Sequence, residues 1–158
     1  MDYMSQLPPD RRNVEQENAM DCFRRTIDYS RQDHRERVQM KRQSYAHLKL
    51  ATIHLDCRSM CPLAQENYFP LMEAEKHLCI IRLKFGDTIP MATRMLLSKT
   101  QSDLLYHQGQ CEPAKVMAED AFRCASSLGY KTELNACKKK KDFYQKKPET
   151  CVQIQGFH

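Results

Sequence analysis

The chain has 158 residues, which suits one domain, and 41% of them are hydrophobic, enough to build a core. Only four glycines and seven prolines occur, whereas β-rich folds need many such residues in their turns, so the composition favours long helices. No run of about 18 uncharged apolar residues is present, which argues against a transmembrane helix. The N-terminus lacks the pattern of a signal peptide, and the eight cysteines are therefore predicted to be reduced thiols of a cytoplasmic protein.

The first half of the chain predicts two helices between irregular segments. Residues 1–14 are polar and include two adjacent prolines, which predicts a disordered leader. Apolar residues at helical spacing predict a first helix over about 15–31 and a second over about 36–57. The segment 59–70 contains two prolines and is predicted to be an extended loop.

The second half predicts four more helices. A third helix over 71–85 and a fourth over 90–108 each end at a glycine, and a fifth runs from 111 to 128 with another glycine just after it. The segment 131–147 contains a weaker basic helix, which is predicted to cap the domain. Residues 148–158 are predicted to be a flexible tail.

Three of these helices share a pattern. The segments 18–29, 73–84 and 117–128 align without gaps, and each has a small residue four positions before a bulky apolar one. A small residue is needed where two antiparallel helices cross closely, and the bulky residue fills the gap one turn away. The pairs are Ala19 with Phe23, Ala74 with Leu78, and Ala118 with Phe122.

The segment 104–122 resembles the tetratricopeptide consensus around the turn between its two helices. Gly109 matches the turn glycine, and the matching small residues of the second helix are Ala114, Ala118 and Ala121. The segment 74–93 resembles the longer variety of this repeat found in kinesin light chains, in which an FGD-xx-P turn links successive hairpins. The resemblance covers roughly 18–130 and carries most detail in 74–124.

This resemblance implies an all-α fold, an α-solenoid of about two and a half helical hairpins over 15–130 with a C-terminal basic helix. It also implies a protein-binding adaptor that uses no cofactor. The first helix would be the second half of a hairpin, so its outer flank is expected to be covered by self-association or by a partner. Alternatively, the chain is a piece of a longer repeat protein.

Tetratricopeptide arrays bind peptides in a concave groove lined by the first helix of each hairpin. In this chain those helices carry polar side chains that recur at intervals of seven or four residues, close to one stripe of each helix. The alternative interpretation is a solvated charged face stabilised by pairs four residues apart. The groove candidates are Arg42, Lys49, Asp56, Lys99, Asp103 and His107.

The net charge of +5 is concentrated in 131–147, where seven lysines stand against two acidic residues. A polar cap of the solenoid is the leading interpretation. A nuclear-import or RNA-binding patch is another, since interferon-induced helical-repeat proteins use basic solenoids on RNA and counterion release favours such contacts. An acidic membrane surface is a third. The basic patch comprises Lys138, Lys139, Lys140, Lys141, Lys146 and Lys147.

Metal binding and catalysis find little support in the sequence. His54, Cys57 and Cys61 are close in sequence, with Cys79 or His77 as a fourth candidate zinc ligand, but the histidine and first cysteine serve equally well as core. No metal site is predicted. No Gly-rich phosphate loop, HExxH motif or nucleophile elbow occurs, so an enzyme is not predicted.

Overall fold

The computed structural model describes residues 8–59 and 69–145 of the chain. These residues contain six α-helices and one short 3-10 turn, Gly86–Thr88, and no strand, so the all-α prediction is confirmed. The helices are α1 (Pro9–Ser30), α2 (Glu36–Ser59), α3 (Phe69–Phe85), α4 (Met91–His107), α5 (Cys111–Leu128) and α6 (Lys131–Gln145).

Helix α1 begins at Pro9, six residues before its predicted start. Proline is favoured in the first turn of a helix, because its backbone nitrogen has no hydrogen-bond partner to lose there. The prediction of a disordered leader is therefore wrong for residues 9–14, while residues 1–7 lie outside the described residues. The predicted loop is described only at its two ends, which are helical, and the predicted tail lies outside the described residues.

Two glycines shape the helix ends around α5. Gly109 has φ of 78° in the three-residue link between α4 and α5, where the amide of Gln110 donates to the carbonyl of Leu105 at 2.8 Å. Gly129 has φ of 67° just after α5, and the next amide, of Tyr130, donates back to Ala125 at 3.4 Å. Both are left-handed conformations that favour glycine, so the two predicted breaks fall where the backbone requires them.

Contacts between side chains give the helix directions. His54 near the end of α2 lies beside Glu73 near the start of α3, and Lys84 at the end of α3 donates to Gln43 early in α2 at 3.0 Å. Helices α2 and α3 are therefore antiparallel. Helices α4 and α5 are joined by only three residues, and Arg94 early in α4 lies 3.7 Å from Asp120 in the second half of α5, so these helices are antiparallel as well.

Helices α2, α4 and α6 run in one direction side by side. The hydroxyls of Thr52 in α2 and Thr100 in α4 lie 3.4 Å apart. Further along the chain, Lys99 of α4 donates to Glu133 of α6 at 3.4 Å. The next contact of α4 with α6, between Asp103 and Lys140, lies further along both helices. Nearer the start of α2 and α4, Tyr45 and Thr93 line one cavity. Because the contacts advance in the same direction along each pair, α2, α4 and α6 are parallel.

The core is continuous through α2, α3 and α4, with Leu48, Leu78 and Ile81 almost fully buried. A second apolar cluster joins α4, α5 and α6 around Met95 and Cys137. Helix α1 packs mainly on α2 and leaves Val14 and Tyr29 exposed, so the covering of its outer flank by a partner stays a prediction. Four alanines of α5 are at most 1% exposed: Ala114, Ala118, Ala121 and Ala125.

Candidate functional site

A cationic groove lies between the N-terminal parts of α2 and α4. Its cavity has a volume of about 540 Å³. Two apolar or aromatic side chains, Val38 and Tyr45, form part of its wall. The full lining is Arg37, Val38, Lys41, Arg42, Tyr45 and Thr93.

A second cavity of about 630 Å³ lies on the other side of Arg37 and Lys41, against the turn that joins α3 to α4. Its wall includes Met40 and Phe85. Because Arg37 and Lys41 line both cavities, they form the shared border between them. Both are exposed, and neither forms an ion pair with another described residue.

The predicted groove residues of α2 lie along its exposed surface. Arg42 lines the groove, and its guanidinium lies 3.3 Å from a carboxylate oxygen of Asp33. The ammonium of Lys49 lies 5.3 Å from the centre of the Tyr45 ring, one turn beyond the groove. Asp56 is exposed further toward the end of α2, away from the groove lining.

Two of the three predicted groove residues of α4 face α6 instead. Lys99 donates to Glu133 at 3.4 Å, and Asp103 accepts hydrogen bonds from Lys140 and from the hydroxyl of Tyr144. His107 is half-buried, and its ring makes an edge-to-face contact with the ring of Tyr106, with the ring centres 6.1 Å apart. The structure therefore does not bring the α2 and α4 candidates together in one cavity.

The lysine run is divided by the helix on which it lies. Lys138 and Lys139 are exposed, whereas Lys140 donates to Asp103 and Lys141 lies 5.1 Å from the centre of the Phe122 ring. Lys146 and Lys147 lie outside the described residues. Half of the four-lysine run therefore contacts the rest of the domain.

Three histidines meet at the interface of α2 and α3. His47 and His54 are seven residues apart on α2, so they share a face. Both contact His77 of α3: the Nδ1 atoms of His47 and His77 are 2.9 Å apart, and the rings of His54 and His77 stack with centres 5.9 Å apart. One of the two Nδ1 atoms must carry a hydrogen, since a hydrogen bond requires a donor.

Glu73 completes this cluster. It lies four residues before His77, on the same face of α3, and its carboxylate also forms an ion pair with the ammonium of Lys76, 3.5 Å away. One ligand atom from each of His54, Glu73 and His77 falls within 4.8 Å of the other two. We name His54, Glu73 and His77, with His47 beside them, the histidine cluster.

Burial lowers the pKa of His47 and of His77 to about 4, and it lowers the pKa of His54 as well. The three imidazoles are therefore neutral near pH 7, and each keeps a nitrogen lone pair. Lys84 and Arg31 lower the pKa of His47 further. For His54 and His77, Glu73 raises the pKa and Lys76 lowers it.

Sequence reasoning had paired His54 with Cys57, Cys61, and Cys79 or His77. The structure brings His54 and His77 together, and Cys79 is a free thiol outside the cluster. The side chains of the two other cysteines lie outside the described residues. The signal that was missed is the coincidence of two intervals: a seven-residue spacing on α2, and a four-residue spacing on α3.

The cysteines differ in state. Cys22, Cys79, Cys124 and Cys137 are free, and burial raises the pKa of the Cys124 and Cys137 thiols, which keeps both protonated. Cys111 is disulfide-bonded, so the prediction that all eight cysteines are reduced is wrong at that position. Spacing along the chain could not show this, because pairing depends on distances in the fold.

No family model matches this chain, and neither does any curated protein or solved structure. In the part of the chain that the structure describes, no helix combines the length and the apolar character needed to cross a membrane.

Proposed function

We propose that this chain is an adaptor of the tetratricopeptide type that binds an acidic segment of a partner protein in the groove between α2 and α4. The observation that carries the proposal is the composition of the groove lining. Three cationic side chains surround two apolar or aromatic ones in a cavity large enough for several peptide side chains.

The order of the helices supports the repeat architecture. In a solenoid of helical hairpins, the first helices of successive hairpins lie side by side in one layer, as α2, α4 and α6 do. The contact between Lys99 and Glu133 joins residues 34 apart, and a minimal tetratricopeptide unit has about 34 residues. The contact between Thr52 and Thr100 spans 48 residues, because α2 is long and a connecting segment follows it.

Charge complementarity selects the occupant. Arg37 and Lys41 have no acidic ion-pair partner among the described residues, so a carboxylate that binds to them does not have to break an existing ion pair. Tyr45 is 45% exposed and offers a ring face beside these charges. A segment that combines glutamates or aspartates with one apolar side chain matches both features.

Fluorescence anisotropy with a short glutamate-rich peptide carrying one central leucine tests the proposal. We expect binding that weakens with salt, and the same peptide with lysine in place of glutamate should not bind. The double variant Arg37→Glu with Lys41→Glu should weaken binding by roughly tenfold or more, since two attractive charges become repulsive.

The matched control is Lys138→Glu with Lys139→Glu, which changes the net charge equally on a distant, exposed surface. This control should keep the peptide affinity within about twofold, because salt screens charges that lie far from the groove. Equal losses in the two double variants would overturn the groove assignment. If the chain instead binds single-stranded RNA and loses it only in the Lys138 and Lys139 variant, the RNA-binding alternative replaces the adaptor.

A further inference from the structure

We propose that the histidine cluster is a binding site for one Zn²⁺ ion, with His54, Glu73 and His77 as its protein ligands. The site would link α2 to α3 at the end of the hairpin where the chain passes from one helix to the other. It is independent of the groove, which lies near the opposite end of α2.

The ligand types and their spacing suit zinc. Two imidazoles and one carboxylate form a ligand set that zinc accepts, with a fourth position left for water or a further ligand. At zinc–ligand distances of about 2.0–2.1 Å, the ligand atoms of a tetrahedral site lie roughly 3.4 Å apart. The atoms here lie within 4.8 Å of one another, so small side-chain rotations bring them to bonding distance.

The backbone already fixes the positions of all three ligands. His77 and Glu73 are one helical turn apart on α3, and His54 lies within the last turns of α2. Helices hold their side chains more precisely than loops do. The ion would therefore meet a site that is largely formed before it binds.

His47 supplies the outer contact that a zinc-bound histidine usually has. A ligating imidazole donates its second ring N–H to a neighbouring acceptor, which fixes both the tautomer and the ring orientation. The 2.9 Å contact between the Nδ1 atoms of His77 and His47 provides that bond, provided that His77 binds zinc through Nε2. We therefore assign His47 as a positioning residue and His77 Nε2 as the ligand atom.

Isothermal titration calorimetry with Zn²⁺ tests the site. The folded protein is first freed of metal, and its accessible thiols are then alkylated. The alkylation removes competing cysteine ligands. We expect one ion per chain and weakening of at least tenfold in Glu73→Gln, His54→Gln and His77→Gln. Co²⁺ in place of zinc should give the visible absorption of a four-coordinate site, and that absorption should be lost in the same variants.

Two matched controls separate the site from general effects. Glu75→Gln makes the same change two residues along α3, and His34→Gln removes an exposed histidine outside the cluster. Both should bind zinc as the unaltered chain does. Glu73 is partly exposed, so Glu73→Gln should keep the helical circular dichroism and report binding even where a histidine variant fails to fold.

The proposal is overturned if alkylation abolishes binding, since the thiols would then be the ligands. It is also overturned if Glu73→Gln and Glu75→Gln weaken binding equally. For His47, we expect His47→Leu to weaken binding about 10- to 100-fold. His47→Asn, which retains a hydrogen-bonding atom near the Nδ1 position, should recover most of that loss, and a purely steric role would show no such recovery.

Discussion

The two central hairpins solve the same packing problem with different side chains. At the α4–α5 interface, the alanines Ala121 and Ala125 cluster with Met95, and the hydroxyl of Ser98 donates to Asp120 at 2.7 Å. At the α2–α3 interface, large aliphatic residues such as Leu78 pack beside three histidines and a glutamate. The first interface buries alanine methyl groups, whereas the second buries imidazoles that can take up a proton or bind a metal.

The α4–α5 hairpin and the α2–α3 hairpin should therefore respond differently to pH and to metal ions. Alanine has no polar atom to satisfy and no rotamer to choose, so its interface depends on distance alone. Buried imidazoles must find hydrogen-bond partners and remain neutral, which makes their interface sensitive to protons and metals. The four predictions below test this contrast, from the largest expected effect to the smallest.

Truncating the aliphatic core of the α2–α3 interface should have the largest effect. Leu78 is 1% exposed, so Leu78→Ala should lower the free energy of unfolding by about 3 kcal/mol, through lost burial and the cavity left behind. Urea denaturation followed by circular dichroism measures the change. Leu83→Ala, on the same helix at 84% exposure, is the control and should change stability by less than about 0.5 kcal/mol.

Acid should destabilise the α2–α3 interface in protein held metal-free by a chelator. The pKa of His47 falls from 6.5 in the unfolded chain to about 4 in the folded one, so the unfolded chain binds the proton more readily. The corresponding stability is present above pH 6.5 and is lost as the pH falls toward 4, at a cost on the order of 2–3 kcal/mol. Urea denaturation over this pH range should show a weaker dependence in His47→Gln, and an unchanged dependence would contradict the assignment.

Enlarging a small residue should disrupt the α4–α5 interface. Ala121 is 1% exposed in the cluster that contains Met95 of α4, so Ala121→Leu should cost about 2 kcal/mol by overpacking. Val116→Leu adds a methylene to the same helix at a side chain that is 53% exposed, and it should be nearly neutral. Equal thermal midpoints for the two variants would show that the alanines do not set the helix separation.

The link between α4 and α6 should contribute least. Tyr144→Phe removes the hydroxyl that donates to Asp103 at 3.2 Å, and we expect a loss of about 1 kcal/mol. Tyr130→Phe makes the same change at a side chain that is 48% exposed and should have no measurable effect. Denaturation midpoints of the two variants, measured side by side, give the difference.

Helix number and order could be predicted from the sequence, because apolar spacing and two left-handed glycines mark the elements. Helix α5 matches its predicted bounds, 111–128. The exposure of Tyr45 was harder to predict, because it lies three residues before the buried Leu48, at helical spacing, yet it is 45% exposed beside the groove. Helical spacing places such an aromatic residue at the edge of the apolar face. It does not show whether a neighbouring helix extends far enough to cover the ring.

The two candidate sites were harder to predict, because each depends on contacts between helices. The α4 residues Lys99 and Asp103 have the spacing of a groove stripe, yet α6 supplies their partners. The pairing of His77 with His47 depends on the register of two antiparallel helices, which no local pattern determines. Intervals of seven and four residues were visible, but only the fold makes them face each other.

Because two of the four consecutive lysines of α6 contact the rest of the domain, fewer of them are available to bind the phosphates of a nucleic acid. Consecutive helical residues point about 100° apart, so four adjacent charges face four directions. Lys140 contacts Asp103 and Lys141 lies over Phe122, so a nucleic-acid strand that contacts the four-lysine run meets two ammonium groups outside these contacts, those of Lys138 and Lys139. Two phosphate contacts give a logarithmic salt dependence near −1.4 for a single strand, and four give about −2.8. The slope of such a plot would count the lysines that the fold leaves available.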